Sequence, residues 1–88
     1  MAEIVIYSTQ SCPYCVAAKR FLKDAKKVPF REVDLSGDNA GRMALVEKTG
    51  MRTVPQIFVG ETHIGGYDDM RALDAEGGLE PLLAQIRG

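Results

Sequence analysis

The most constraining stretch of this chain is Cys12-Pro13-Tyr14-Cys15, which closely follows the β-branched and aromatic run at residues 3–8 (EIVIYS). A run of that kind suits a strand buried on both faces. Proline is favoured at the first helical position, where its missing N–H costs nothing. Cys12 is therefore the expected N-cap of a helix running to about Lys27. An N-cap side chain accepts hydrogen bonds from the second and third helical amides, here those of Tyr14 and Cys15. The positive end of the helix dipole lies at the same place. Both effects favour the thiolate of Cys12. Cys15 shares an apolar face with Ala18, Leu22 and Ala25, while Lys19, Arg20, Lys23 and Lys27 take the solvent side. On that face Cys15 stays a protonated thiol, so Cys12 attacks and Cys15 resolves.

These are the only two cysteines among 88 residues. A bridge closing so short a loop constrains the unfolded chain little, so its purpose is redox chemistry rather than stability. A disulfide-stapled secreted domain would carry more cysteines, placed across long loops. A structural zinc site wants four ligands, and only His63 is left to join the pair, so no metal is expected. His63 itself reads as a surface strand residue.

Length and make-up bound the rest. Residues 1–88 suffice for one modest core and are expected as a single domain, with 45% apolar and 26% charged residues. A formal net charge of −1 argues against a nucleic-acid surface. The apolar run Ile4–Tyr7 is strand-sized, and Glu3 stands where a signal peptide would be basic. No membrane partner is expected, and the expected location is the cytoplasm.

Further along, Pro29 ends the first helix and Phe30–Leu35 reads as a second strand, parallel to the first through a right-handed crossover. Ser36-Gly37-Asp38 makes a turn and cap for a second helix, which runs to about Thr49 and ends at Gly50 in a left-handed C′ position. Gln56–Val59 and Thr62–Ile64 flank the turn Gly60-Glu61 as a hairpin. After Gly65-Gly66, Asp68 or Asp69 caps a third helix through Leu73. Leu79–Ile86 reads as a last helix, with Pro81 in its first turn. Met43, Met51 and Met70 read as core or edge filler. The order βαβ-α-ββ-α gives an α/β fold, a four-stranded mixed sheet flanked by α-helices.

Two segments of the second half bear on the site. In Thr53-Val54-Pro55 a proline opens a strand after a β-branched residue, and two readings stay open: an ordinary strand-start proline, or a cis bond. If cis, it lets Val54 present its N–H and C=O outward to an extended peptide, which pairs as an extra strand. In Gly65-Gly66-Tyr67-Asp68-Asp69 a helix N-terminus offers free amides to a carboxylate and acidic side chains to an ammonium group. A plain Asp-capped helix is the alternative. Glutathione is a peptide whose γ-glutamyl end carries both groups.

CPYC at 12–15, TVPQIF at 53–58 and GGYDD at 65–69, in this order and spacing, resemble the dithiol glutaredoxins, particularly the short bacterial class. The resemblance covers essentially the whole chain. It implies a thioredoxin-like fold and a glutathione-dependent disulfide oxidoreductase. Cys12 would then form the mixed disulfide and Cys15 would resolve it. Tyr14 would flank the glutathione sulfur, and Thr53 and Val54, beside Pro55, would pair with its backbone. Asp68 and Asp69 would hold the γ-glutamyl end, and Arg42 the glycine carboxylate. Glutathione would be a cosubstrate, with no cofactor tightly bound. The other partners would be glutathionylated or disulfide-containing proteins, met by a monomer.

Many members carry Lys three residues before the first cysteine, where this chain has Thr9. That loss implies weaker glutathione binding or heavier reliance on Arg42. Against a thioredoxin-type reductase, the chain has no Trp. A redox-inert adaptor would not retain two cysteines in cap geometry. A dimer holding an iron–sulfur cluster through Cys12 and glutathione is the remaining alternative, and Tyr14 with Cys15 resembles the reductases more.

Overall fold

The computed structural model describes residues 3–10 and 12–87. Ser11 lies outside them. Strand β1 (Ile4–Ser8) leads through the Cys12 loop to helix α1 (Pro13–Arg20), followed by a wider helical turn over Phe21–Ala25. Strand β2 (Arg31–Asp34), helix α2 (Asn39–Thr49), the hairpin β3 (Gln56–Val59) and β4 (Thr62–Gly65), and helices α3 (Tyr67–Ala75) and α4 (Leu79–Arg87) complete the order.

The sheet runs β2-β1-β3-β4. β1 pairs parallel with β2, setting Val5 opposite Arg31, and antiparallel with β3, setting Ile4 opposite Val59. β3 and β4 pair antiparallel, with a register shift between Ile57 and Phe58. This is the four-stranded mixed sheet expected from the sequence.

Alternation along β1 divides the core in two. Ile4 and Ile6 point with Ile57 and Val59 into a cluster closed by Ala18, Leu22, Met70, Leu79 and Leu83. Val5 and Tyr7 point the other way, onto Leu35, Leu45 and Phe58. The sheet is thereby covered by α1, α3 and α4 on one side and by α2 on the other, and β1 is protected on both faces. Met70 is core as expected, but Met43 on α2 is 66% exposed.

The first helix departs from the expectation near its end. The amide of Lys26 donates to the Phe21 carbonyl at 3.1 Å, and that of Val28 to Leu22 at 3.1 Å, so the last turn is wider than α-helical. A wider turn advances the side chains by a smaller angle per residue. Leu22 stays in the core, but Ala25 is carried off the apolar face and is exposed. Lys27 then takes φ 55°, a left-handed step usually left to glycine, and Val28 drops back into the core. The Lys26 ammonium ties this end to α3 through Asp74 at 2.6 Å.

Candidate active site

Cys12 is the N-cap of α1, with extended backbone at φ −108°, ψ 108°, and Pro13 opens the helix. Of the two amides expected to cap its sulfur, that of Cys15 makes the bond, at 3.2 Å. As a thiol, Cys12 also donates to the Val54 carbonyl at 3.5 Å. Residues 42 apart in sequence therefore meet at the nucleophile, and the Val54–Pro55 bond there is cis. Of the two readings of Pro55, the structure takes the second.

Cys15 lies one turn deeper, fully buried. Burial, reinforced by the Cys12 sulfur, pushes its thiol up to about 11, against the pull of a Thr9 backbone group and the Lys19 ammonium. At neutral pH it is a thiol, as its place on the apolar face predicts. Lys19 stands one turn along the same helix, where i and i+4 side chains are neighbours. It is held at 2.8 Å by Glu32 of β2, which also accepts from the buried hydroxyl of Ser8. A small polar network thus underlies the end of β1, beside α1.

Lys19 first, and Ser8 second, hold the Glu32 carboxyl below the ordinary value of 4.5. A depressed carboxylate contributes stability above its unfolded value and loses it as the pH falls through its folded value. Glu32→Gln is therefore expected to cost about 0.2–1 kcal/mol at pH 7, a solvent-screened pair, and to converge on the parent in urea melts as the pH falls through the lowered folded value. A deficit that stays constant as the medium is acidified until the carboxyl is protonated would detach the loss from this charge.

The loop before β3 forms the opposite wall. Gln56 is buried, and its Nε2 donates to the carbonyls of Met51 at 2.9 Å and Thr53 at 3.0 Å, which pins residues 51–55 beside Cys12. The start of α3 forms the third wall. There one oxygen of Asp69 accepts from the Gly66 amide at 2.9 Å, so Asp69 is the capping acid. Between these elements lies a cleft of about 290 Å³, whose walls include Tyr14, Thr53, Val54, Pro55, Asp68 and Asp69. The structure thus gathers those six predicted residues around one hollow.

Arg42 is not in its lining. It is half-buried in the first turn of α2, where its amide donates to the Asp38 carbonyl at 3.1 Å. Three wall residues were assigned no part in the site from sequence: Met51, Gly66 and Tyr67. Gly66 and Tyr67 stand inside the GGYDD motif, which was the available signal. Met51 offered none, being an apolar residue two positions before Thr53. The Tyr67 ring faces that of Tyr14 with centroids 6.3 Å apart. His63 lies in β4 with its ring 4.8 Å from that of Phe58, away from the cleft's walls. Among the described residues no cluster of His, Cys, Asp or Glu could hold a metal ion.

A cysteine capping a helix, a buried partner one turn on and a peptide-sized cleft against a cis-proline loop define a thiol–disulfide oxidoreductase of thioredoxin-like fold. The sequence profile named Glutaredoxin matches residues 4–64. The chain is 49% identical to Glutaredoxin 3 of Escherichia coli (strain K12) over 83 residues, 94% of this chain and 99% of that protein. It is 48% identical to a glutaredoxin of Pseudomonas aeruginosa over 84 residues, 96% and 99% of the two chains. Among solved structures, the buckwheat glutaredoxin–glutathione complex superposes with a TM-score of 0.86 at 33% identity, covering 97% of this chain and 79% of that one. The solution structure of glutaredoxin from Brucella melitensis gives 0.81 at 43% identity, covering 94% and 89%. The chain belongs to the glutaredoxin family.

Proposed function

We propose that this thiol–disulfide oxidoreductase is glutathione-dependent and reduces both glutathione mixed disulfides and protein disulfides. The observation that carries this is the contact of Cys12 Sγ with the Val54 carbonyl at the wall of the cleft. A peptide extended along Thr53–Pro55 would there bring its own sulfur to the nucleophile. Asp68 and Asp69 suit the ammonium of its γ-glutamyl end. The glutathione held by the buckwheat relative supports the same occupant.

In the proposed cycle the Cys12 thiolate attacks the glutathionyl sulfur of a mixed disulfide. The S–S bond breaks, the substrate leaves as a thiolate and takes up a proton, and Cys12 retains the glutathione. A second glutathione, as its thiolate, attacks that sulfur and expels Cys12, giving glutathione disulfide. On a protein disulfide, Cys12 attacks first, Cys15 loses its proton and closes the internal bridge, and two glutathiones reopen it. Glutaredoxin potentials of about −200 to −230 mV allow the cytosolic glutathione pool to do so.

The residues act in one domain, as a cytoplasmic monomer with no tightly bound cofactor. Among the described residues no helix is long and apolar enough to cross a membrane. Cluster binding is the less favoured reading, because the buried Cys15 is positioned as a second redox thiol. Arg42 is kept as a contact for the glycine carboxylate, reached by its flexible side chain from α2. Arg42→Ala is then expected to raise the Michaelis constant for glutathione about two- to fivefold, the worth of one screened charge pair. An unchanged constant removes Arg42 from the site.

The deciding experiment couples reduction of a small glutathione mixed disulfide to glutathione reductase and NADPH, beside a parallel assay driven by thioredoxin reductase. Turnover with glutathione alone is expected. Turnover with thioredoxin reductase alone would overturn the assignment of the cleft, and silence in both would turn attention to anaerobic reconstitution of a cluster.

A further inference from the structure

Behind Tyr67, on the side away from the cleft, a second groove of about 420 Å³ runs between α1 and α3. We propose that this groove docks an acidic polypeptide segment flanking the reactive cysteine of a protein substrate. The proposal rests on the assignment of the cleft to glutathione.

Three observations carry it. First, the groove begins at Pro13, next to the nucleophile, and Tyr67 lines both hollows. A substrate joined to a glutathione seated in the cleft can therefore continue across Tyr67 without leaving the surface. Second, one wall is apolar and open: Val16 is 45% exposed, next to Ala17. Surface of that kind next to a reactive group suits a polypeptide better than water.

Third, the groove's charge is positive in a chain whose net charge is −1. Arg20 and Arg71 are both exposed and face it from α1 and α3, against one acid, Asp24. Among the described residues neither arginine is paired with a carboxylate. Arg71 is already fixed: it donates to the Tyr67 hydroxyl at 2.7 Å, and its guanidinium lies 4.9 Å from the Phe21 ring centroid and 5.7 Å from that of Tyr67. A stacked guanidinium keeps further N–H groups for a ligand and gives up little freedom on binding one. Two arginines over an apolar floor suit a segment with Asp or Glu near its cysteine and an apolar residue between. A basic segment would meet the same pair as repulsion, so the groove also selects.

The test uses two cysteine peptides of equal length, each joined to glutathione as a mixed disulfide, one flanked by Asp and Glu and the other by Lys. Hydroxyethyl–glutathione disulfide is the small reference. At low salt the acidic peptide is expected to show a Michaelis constant about three- to tenfold below the basic one, the size of two partly exposed charge pairs. The ratio should shrink towards one at about 0.5 M salt, where screening is short-ranged. Arg20→Glu should abolish or invert the preference while leaving the small reference unchanged. Arg71→Gln should also reduce it, read as the ratio between peptides because Arg71 touches Tyr67. Equal constants for the two peptides, or a preference for the basic one, would overturn the groove while the cleft stands. Failure to turn over the small reference would overturn the cleft and the groove together.

Discussion

Serine in place of Cys12 is expected to remove turnover on every disulfide substrate, by about 10³-fold or more, while leaving the fold intact. The two halves of that expectation have different physical origins. Serine is among the preferred N-cap residues. Its oxygen can accept from the Cys15 amide that now donates to sulfur at 3.2 Å, so a melt of the variant should match the parent within about 1 kcal/mol. A hydroxyl without an adjacent base is a far weaker nucleophile than a thiolate and cannot form the mixed disulfide. Mass spectrometry after exposure to glutathione disulfide should find no adduct on the variant. An adduct of one glutathione would put the nucleophile at Cys15.

Changing Cys15 is expected to divide the two activities. With Cys15→Ser, reduction of glutathione mixed disulfides should persist within about twofold, because attack, retention of glutathione and release all occur at Cys12. Passage through the internal bridge should be lost, and with it reduction of protein disulfides by about 10²-fold. Serine buries a hydroxyl where the thiol is fully enclosed, which costs about 1–3 kcal/mol if it stays unpaired. Cys15→Ala, measured beside it, avoids that hydroxyl. Agreement of the two variants separates chemistry from stability, and loss of both activities in both would contradict the division of roles. In the parent, bridge closure should quicken with pH, nearing tenfold per unit well below about 11, since the attacking species is the thiolate of a raised thiol.

The sequence made the elements legible wherever local chemistry governed them. Gly50 at φ 77° closes α2 and Gly60 at φ 59° turns the hairpin, as their positions required. The wide turn at Phe21–Ala25 was not legible. The periodicity of Leu22 and Ala25 fits an ordinary helix, and only the packing of Val28 back into the core favours the unwound end. A left-handed Lys27 has no compositional mark.

At the site, each motif indicated its own local geometry, but none carried distance. That Cys12 meets Val54 comes from the order of strands in the sheet, which sets β3 beside β1; Gln56 then fastens the loop that carries Val54. Tyr67 went unassigned because its part depends on which neighbours α3 brings to it. Arg42 was drawn into the site by resemblance, and its separation from the cleft's lining is set by where α2 crosses the sheet.

The two outer strands bear on how this protein shares a crowded solution with its own copies. Each is four residues long. Three of the four residues of β2, Arg31, Glu32 and Asp34, are charged and exposed, while β4 starts with two polar residues, ends in glycine and sits beside the register shift. A neighbouring copy seeking to extend the ladder would meet charge on one margin and an interrupted hydrogen-bonding row on the other. The sheet is thus finished as well as formed: its margins discourage strand-to-strand growth.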